Sequence, residues 1–334
     1  MSDESVYAAC ADPRQGVVAT HLGGQAVIEG VMMRGKGVWA LAVRNPEGEI
    51  VTSHETLRRS SESHPWMGWP LVRGVVALVE SLQLGMKALS RSAEIAGVDE
   101  EGGEEMPAGA MAGAMVVGIG LAVLIFIVLP ALATNYIVGP ADANPPLWNA
   151  VDGVLRVLAF FLYVWAIGFM PDLGRVFGYH GAEHKVIHTV EHGEELTVEN
   201  ARRHPRMHVR CGTSFLLMVM VIAILVFTAV PIKSIVAGWG LESGAAVLAL
   251  AIGIRLALMP VVAGLAYEVT VKWAGPRADQ PLVRVLMWPG LQLQRLTTRE
   301  PSDDMIEVAI ASTAAVQAAE AGASPTVAAV SAEP

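Results

Sequence analysis

The chain has 334 residues, 53% of them apolar and only 16% charged, with a mean hydropathy of +0.47. That balance excludes an ordinary soluble domain and predicts an integral membrane protein. The formal net charge of −9 gives no reason to expect a nucleic-acid partner, and much of the acid falls in one linker (Asp99, Glu100, Glu101, Glu104, Glu105) and around the C-terminal tail.

Residues 1–20 are polar and mixed and read as disordered, without the basic, short apolar, small-residue signal that would predict cleavage and export. The stretch 21–96 reads as a cytoplasmic β-hairpin region followed by an interfacial helix. Alternation predicts short strands over Ala26–Met33, Val38–Arg44 and Glu49–Thr56, with Asn45-Pro46-Glu47-Gly48 turning between the last two. Leu71–Leu89 is helical by pattern but interrupted by Arg73, Glu80 and Lys87, and Trp66 and Trp69 ahead of it suit a headgroup region. An acidic, Gly-rich linker occupies 97–109.

Four apolar stretches, Ala110–Ile137, Leu147–Met170, Thr213–Val236 and Leu241–Val269, reach the roughly 20 residues a helix needs to cross a bilayer. They define a transmembrane domain over 110–269, with a histidine-rich loop, 171–212, between the second and third. In the C-terminal segment 270–311, Trp273–Gln294 reads as loop plus a short amphipathic helix. Met305–Ile310 reads as a further strand on the N-terminal hairpin, and the Ala/Ser/Glu tail 312–334 need not fold. The expected fold class is an α-helical multi-pass membrane protein of about four spans, with a small cytoplasmic α+β part from the N- and C-terminal segments.

Orientation follows from Lys and Arg near the span ends. They crowd the segment before the first span (Arg14 to Arg91), the central loop (Arg175 to Arg210) and the C-terminal segment (Lys272 to Arg299). The two remaining connections carry none, although Lys233 lies just before the second. Both termini and the histidine-rich loop are therefore expected in the cytoplasm, the spans in the plasma membrane, and membrane lipids as neighbours. Cys10 and Cys211, the two cysteines, then fall where thiols stay reduced, and no structural disulfide is expected.

Six of the nine histidines lie between Tyr179 and Thr213. His180-Gly181-Ala182-Glu183-His184 is an H-x-x-E-H arrangement, with two imidazoles one helical turn apart that can aim at one divalent ion, zinc by ligand chemistry. Glu183 beside them is a general base or a support for the ligands. His180 to His192 would cover about 18 Å of helix axis, too long to share one ion, so further ligands must fold back. His188 and Glu191 are one turn apart and can hold a second ion or close the first, while His208 and Cys211 form an i, i+3 pair before the third span. Cys211 is also readable as a nucleophile or a small buried thiol. The competing reading of the loop is a solvated cationic surface that meets anionic lipid headgroups, with His192 and His204 simply solvated. Glu29 is a strand residue, exposed or paired with Arg34, or a ligand or base reaching the histidines. Arg255, inside the fourth span, calls for a partner such as Asp152 or Glu80, and binds a substrate anion, gates a path or makes a structural ion pair.

These residues carry a family resemblance. Gly23 to Arg34, Arg73-Gly74, Tyr179 to Lys185 with His188 and Glu191, Leu196 to Asn200, His208 and Arg210 to Phe215 resemble the YqhQ-like family of bacterial membrane proteins. So do Tyr267-Glu268, Pro289-Gly290-Leu291 with Gln294, Thr297 to Pro301 and Glu307 to Ile310, and the resemblance runs nearly full length. One departure is Val209, where the family pattern has a proline. The family's function is unknown beyond a description as predicted metal-dependent enzymes. The resemblance implies that Glu29, Arg34, Glu268 and Glu300 belong with Arg210 and the histidines to one functional surface. The resulting expectation is a metal-dependent hydrolase or transferase acting on a membrane-associated substrate. Its ligands would come from His180, His184, His188, Glu191, His208 and Cys211, with Glu183 and Glu29 as catalytic carboxylates. The alternative is a non-catalytic assembly factor or a transporter whose histidine cluster senses metal or protons.

Overall fold

A computed structural model describes residues 21–57, 60, 64–97, 108–140, 143–230, 235–236, 238–240, 245–274, 277 and 280–322. Expectations for 1–20, for 98–107 of the acidic linker and for 323–334 of the tail lie outside the described residues.

The strands form an antiparallel meander in the order β1 (Gly23–Val27), β2 (Gly30–Arg34), β3 (Val38–Arg44) and β4 (Ile50–Thr56). The single strand expected over Ala26–Met33 is in fact two. Ile28 and Glu29 form a two-residue loop, Val27 pairs with Gly30, and Glu29 takes a left-handed φ of 48°. Strand β3 is apolar almost throughout because both faces of the sheet are covered. On one face Val31, Met33, Ala40 and Ala42 pack against α5 (Pro171–Glu191) and α10 (Asp303–Glu320). On the other, Met32, Trp39 and Leu41 pack against Leu84 and Ala88 of α1 (Val72–Ile95).

Helix α10 corrects the expected strand at Met305–Ile310. Met305, Ile306, Val308, Ala309, Ser312, Thr313 and Val316 are buried at three- and four-residue spacing, the helical period, which the six-residue window was too short to display. Asp303 and Asp304 in the first turn favour a helix start there. The helix continues past 312, where an unfolded tail was expected, and Glu320 accepts a hydrogen bond from the Lys36 backbone at 2.5 Å.

Four helical segments are long and apolar enough to cross a membrane: Val116–Val138, Pro145–Ile167, Gly212–Ala229 and Ile252–Ala274. The first contains α2 (Ala108–Val123), a wide π turn (Leu124–Val128) and α3 (Leu129–Val138); the next two are α4 (Pro145–Ile167) and α7 (Gly212–Ala229). The last joins α8 (Ala245–Tyr267) to a second run of π turns, Glu268–Ala274. Val117, Leu158 and Leu225 point outward and are mostly exposed, a surface suited to lipid. Two further helices, α6 (Val198–Arg203) and α9 (Pro281–Thr297), complete the chain between and after them.

Helix α1 is tied to this bundle by Glu268, whose carboxylate takes Arg73 Nε at 2.7 Å and Nη2 at 2.5 Å and accepts from the Leu71 backbone at 3.3 Å. The sheet, α5 and α10 are in turn closed onto the bundle where the Arg299 backbone donates to the Phe177 carbonyl at 2.8 Å. Gly181 permits that approach, since a Cβ there would overlap the Arg299 carbonyl oxygen.

Candidate metal centre

Helix α5 carries His180, Glu183, His184, His188 and Glu191, and the chain returns past it through Arg206, Met207, His208 and Cys211 before α7 begins. This fold-back produces two three-residue groups whose ligand atoms lie within 4.8 Å of one another: His180, His184 and Cys211, and His188, Glu191 and His208. The structure thus brings together all six expected ligands, divided between two places.

The hydrogen bonds distinguish the two groups. His180 Nδ1 donates to the Thr297 carbonyl at 2.8 Å, so its Nε2 lone pair faces Cys211 Sγ, 3.2 Å away. His184 Nδ1 donates to the Arg206 carbonyl at 2.7 Å, and its buried Nε2 has no hydrogen-bond partner among the described residues. A ring that gives one N–H to a backbone carbonyl and keeps the other nitrogen bare is the arrangement typical of a metal-ligating histidine. Cys211 caps α7, its sulfur accepting from the Thr213 backbone at 3.4 Å with the Thr213 hydroxyl at 3.2 Å. Burial pushes its thiol up, but the adjacent His184 ring and the Thr213 hydrogen bonds outweigh that and bring it to about 7.

In the second group the Arg210 backbone N–H donates to His208 Nδ1 at 3.2 Å, which puts the ring proton on Nε2, facing Glu191 at 3.2 Å. The other Glu191 oxygen meets the Arg210 guanidinium. His188 Nε2 donates to the Met207 carbonyl at 3.0 Å, and burial holds His188 well below its ordinary range and therefore neutral. Glu191 already faces two donors, so this group reads as a buried ion-pair network that props the return segment. The first group, with the bare His184 Nε2, the His180 Nε2 facing a thiol and no carboxylate already held by cations, fits a borderline divalent ion such as zinc.

Glu183 lies under strand β1. A Cβ at Gly24 would come within 2.7 Å of its carboxyl carbon, so only glycine leaves room for it there. Its Oε2 is buried without a hydrogen-bond partner among the described residues. Burial raises the carboxyl from 4.5 to about 7, against the lowering pull of His180, His208 and the Gly24 N–H. Two orphaned polar atoms, His184 Nε2 and Glu183 Oε2, thus lie in one buried cluster. Each such atom costs about 1–3 kcal/mol if it stays unpaired, a strain that a bound cation and its remaining ligand would relieve.

The other expected residues fall elsewhere. Glu29 is engaged by the Arg175 guanidinium and, at 3.2 Å, by the Tyr179 hydroxyl, and is absent from both ligand groups. Arg34 ends β2, half-buried. Glu268 clamps α1, and Glu300 pairs at 2.7 Å with the buried Lys185, which also donates to the carbonyls of Arg202 and His204. Arg255 lies in the membrane-length bundle, lining a cavity with Asp152; Glu80, the other partner considered for it, instead accepts from the Ser60 backbone at 2.8 Å. Gln294 was not singled out as a site residue, yet its amide grips the His208 backbone on both sides, N–H to Oε1 at 2.8 Å and Nε2 to O at 2.8 Å, and also reaches the Ser214 hydroxyl at 2.9 Å. Its sequence signals were its place in the family resemblance and its polar character within the apolar face of α9.

A cleft of about 820 Å³ opens between α1, α7 and α8, its polar end formed by Gln25, Arg210 and Cys211 and its walls by residues such as Leu82, Met86, Phe215 and Met259. That volume is within the range of ordinary small-molecule sites, about 300–1,000 Å³.

Residues 69–319 match the family described as "Protein of unknown function (DUF1385)". The chain is also 33% identical over 302 residues to a Bacillus subtilis (strain 168) protein described as "Uncharacterized protein YqhQ", covering 87% of this chain and 90% of that one. No solved structure matches.

Proposed function

The chain belongs to the DUF1385 family of proteins of unknown function, and for it we propose a metal-dependent hydrolase or group transferase of the plasma membrane. Both termini and the metal centre would face the cytoplasm, and the substrate would be membrane-associated. The observation that carries this reading is the pair of oriented histidine nitrogens, His184 Nε2 bare and His180 Nε2 facing the low thiol of Cys211, with the orphaned carboxyl of Glu183 in the same buried cluster. His180, His184 and Cys211 would hold the ion, leaving a further position open, as catalytic sites do. When bound, a divalent ion would supply Lewis-acid polarisation of a carbonyl or phosphoryl oxygen.

The chain's own groups have definable tasks. Glu183, raised to about 7, can take up a proton at Oε2 near neutral pH and return it. The carbonyls of Thr297 and Arg206 fix the ring tautomers, and Gln294 fixes the return segment that carries Cys211. The cleft ending at Cys211 would hold the apolar part of the substrate, entering from the side of the bundle between α1 and α8. The test is to place zinc-loaded protein in vesicles made from total bacterial membrane lipid and follow every lipid species by mass spectrometry. Wild type should deplete one species and generate its cleaved or transferred product, while Glu183→Gln, with its metal content intact, should not. Identical product formation by Glu183→Gln, or retention of every species by metal-replete wild type across lipid and lipid-linked peptide mixtures, would contradict the proposal.

A further inference from the structure

A second constellation lies at the other end of the helix bundle from the metal centre. Cys211 starts α7, whereas Met220, Ile224, Phe227 and Thr228, which line this cavity, come about 13–25 Å further along the same helix. The cavity holds about 490 Å³ and is walled by Phe126, Phe160, Tyr163 and Phe227, yet three charged side chains enter it: Asp152 and Arg156 from α4 and Arg255 from α8. Charges within a membrane-length bundle are costly and mark sites of binding or passage.

The three charges do not cancel. Arg156 Nε binds Asp152 Oδ2 at 2.7 Å, one turn away, and Arg156 Nη1 donates to the Phe126 carbonyl at 3.0 Å. That carbonyl is available because the residue four further on is Pro130, which has no N–H to return, and the wide turn Leu124–Val128 presents it to α4. Asp152 Oδ1, in a side chain buried to about nine-tenths, has no hydrogen-bond partner among the described residues. Arg255 forms no ion pair among the described residues; its guanidinium stands 5.7 Å from the centre of the Phe227 ring, at the exposed mouth of the cavity. The floor is thus an Arg–Asp pair joined through one carboxylate oxygen, the mouth carries a second guanidinium, and the site as a whole has one positive charge in excess.

We infer that this cavity binds an oxyanion, a phosphate or carboxylate, borne on an apolar chain. Arg255 meets the anion at the mouth, the Arg156–Asp152 pair sets the depth to which the head can enter, and the aromatic wall accepts the adjoining hydrocarbon. A zwitterionic head places its own ammonium beside Arg255 and is disfavoured. The site is independent of the histidines and stands or falls separately from the reaction proposed for them.

The test is native mass spectrometry of the detergent-purified full chain with phosphatidylglycerol, phosphatidylethanolamine and inorganic phosphate. Wild type should retain phosphatidylglycerol at least ten-fold more than phosphatidylethanolamine. Arg255→Gln, with its thermal unfolding and zinc content unchanged, should bring that ratio close to one, and Arg255→Lys should restore part of it. Asp152→Asn should raise anion retention, an opposite sign that loss of packing would not produce. Competition by inorganic phosphate at the Arg255-dependent site would identify a free anion as the ligand, and no competition would identify the lipid-borne one. Equal retention of the two lipids by wild type, or a preference that survives Arg255→Gln, would overturn the inference. His180→Ala/His184→Ala should leave the ratio as it is.

Discussion

Glu183→Gln isolates the cost of the buried carboxyl. In the metal-free protein Glu183 titrates at about 7, against 4.5 when exposed, because burial disfavours its ionised form. A displacement of that size corresponds to about 3 kcal/mol. The folded state binds the proton more tightly than the unfolded state, so the stabilising contribution is full below pH 4.5. It declines as pH rises towards 7, and is gone above it. The buried His184 and His188 are shifted down by burial and act with the opposite sign, losing stability as pH falls, so the difference between wild type and variant is the informative quantity. Glutamine keeps the shape and cannot ionise. In thermal unfolding followed by tryptophan fluorescence, with chelator present, Glu183→Gln should match wild type near pH 4.5. It should be more stable near pH 8, by up to about 3 kcal/mol. Zinc should narrow that advantage, since it compensates the ionised carboxylate of wild type. Parallel pH profiles for the two proteins without metal would refute the placement of Glu183 as a buried, unpaired acid.

Gly24→Ala should cost about 1–3 kcal/mol by driving a methyl group into the Glu183 carboxyl, and much of the loss should be recovered in Gly24→Ala/Glu183→Ala, a coupling that a double-mutant cycle in denaturant would read. Gln294→Leu deprives the His208 N–H and carbonyl of their partners and should destabilise by about 2 kcal/mol or more while lowering zinc affinity through the displaced return segment. Arg210→Gln leaves the buried Glu191 with His208 as its remaining partner among those described above; a loss of about 3–5 kcal/mol is expected in unfolding, with zinc stoichiometry retained.

Much of the site was legible because it is local. An i, i+4 histidine pair on a helix needs no tertiary knowledge, and the reach of about 1.5 Å per residue already required further ligands to fold back, with His208 and Cys211 among the candidates. The division into a metal-type group and an ion-pair group was not legible, because it depends on which carbonyl each ring finds and on the Arg210 N–H that sets the His208 tautomer. Gly24 and Gln294 belonged to the resemblance, but their roles were not readable for a similar reason: each acts across long sequence separations, on Glu183 and His208 respectively. Arg156 was passed over, although Pro130 and its orphaned Phe126 carbonyl called for a donor and Asp152 stands one turn away. The four membrane-length helices follow from composition over windows long enough to average out noise. Met305–Ile310 misled because six mostly apolar residues are too few to display a helical period, and Ala26–Met33 because a two-residue turn at Ile28 and Glu29 leaves apolar residues on both sides.

The most direct test of the central claim is elemental analysis of the purified chain after zinc loading and desalting, with wild type beside His180→Ala/His184→Ala, Cys211→Ser and His188→Ala/His208→Ala. About one zinc per chain is expected in wild type, with loss in the first variant, weakened retention in the second and full retention in the third. Zinc lost from His188→Ala/His208→Ala but kept by His180→Ala/His184→Ala would place the ion in the wrong group, and no zinc in wild type would contradict the metal centre altogether.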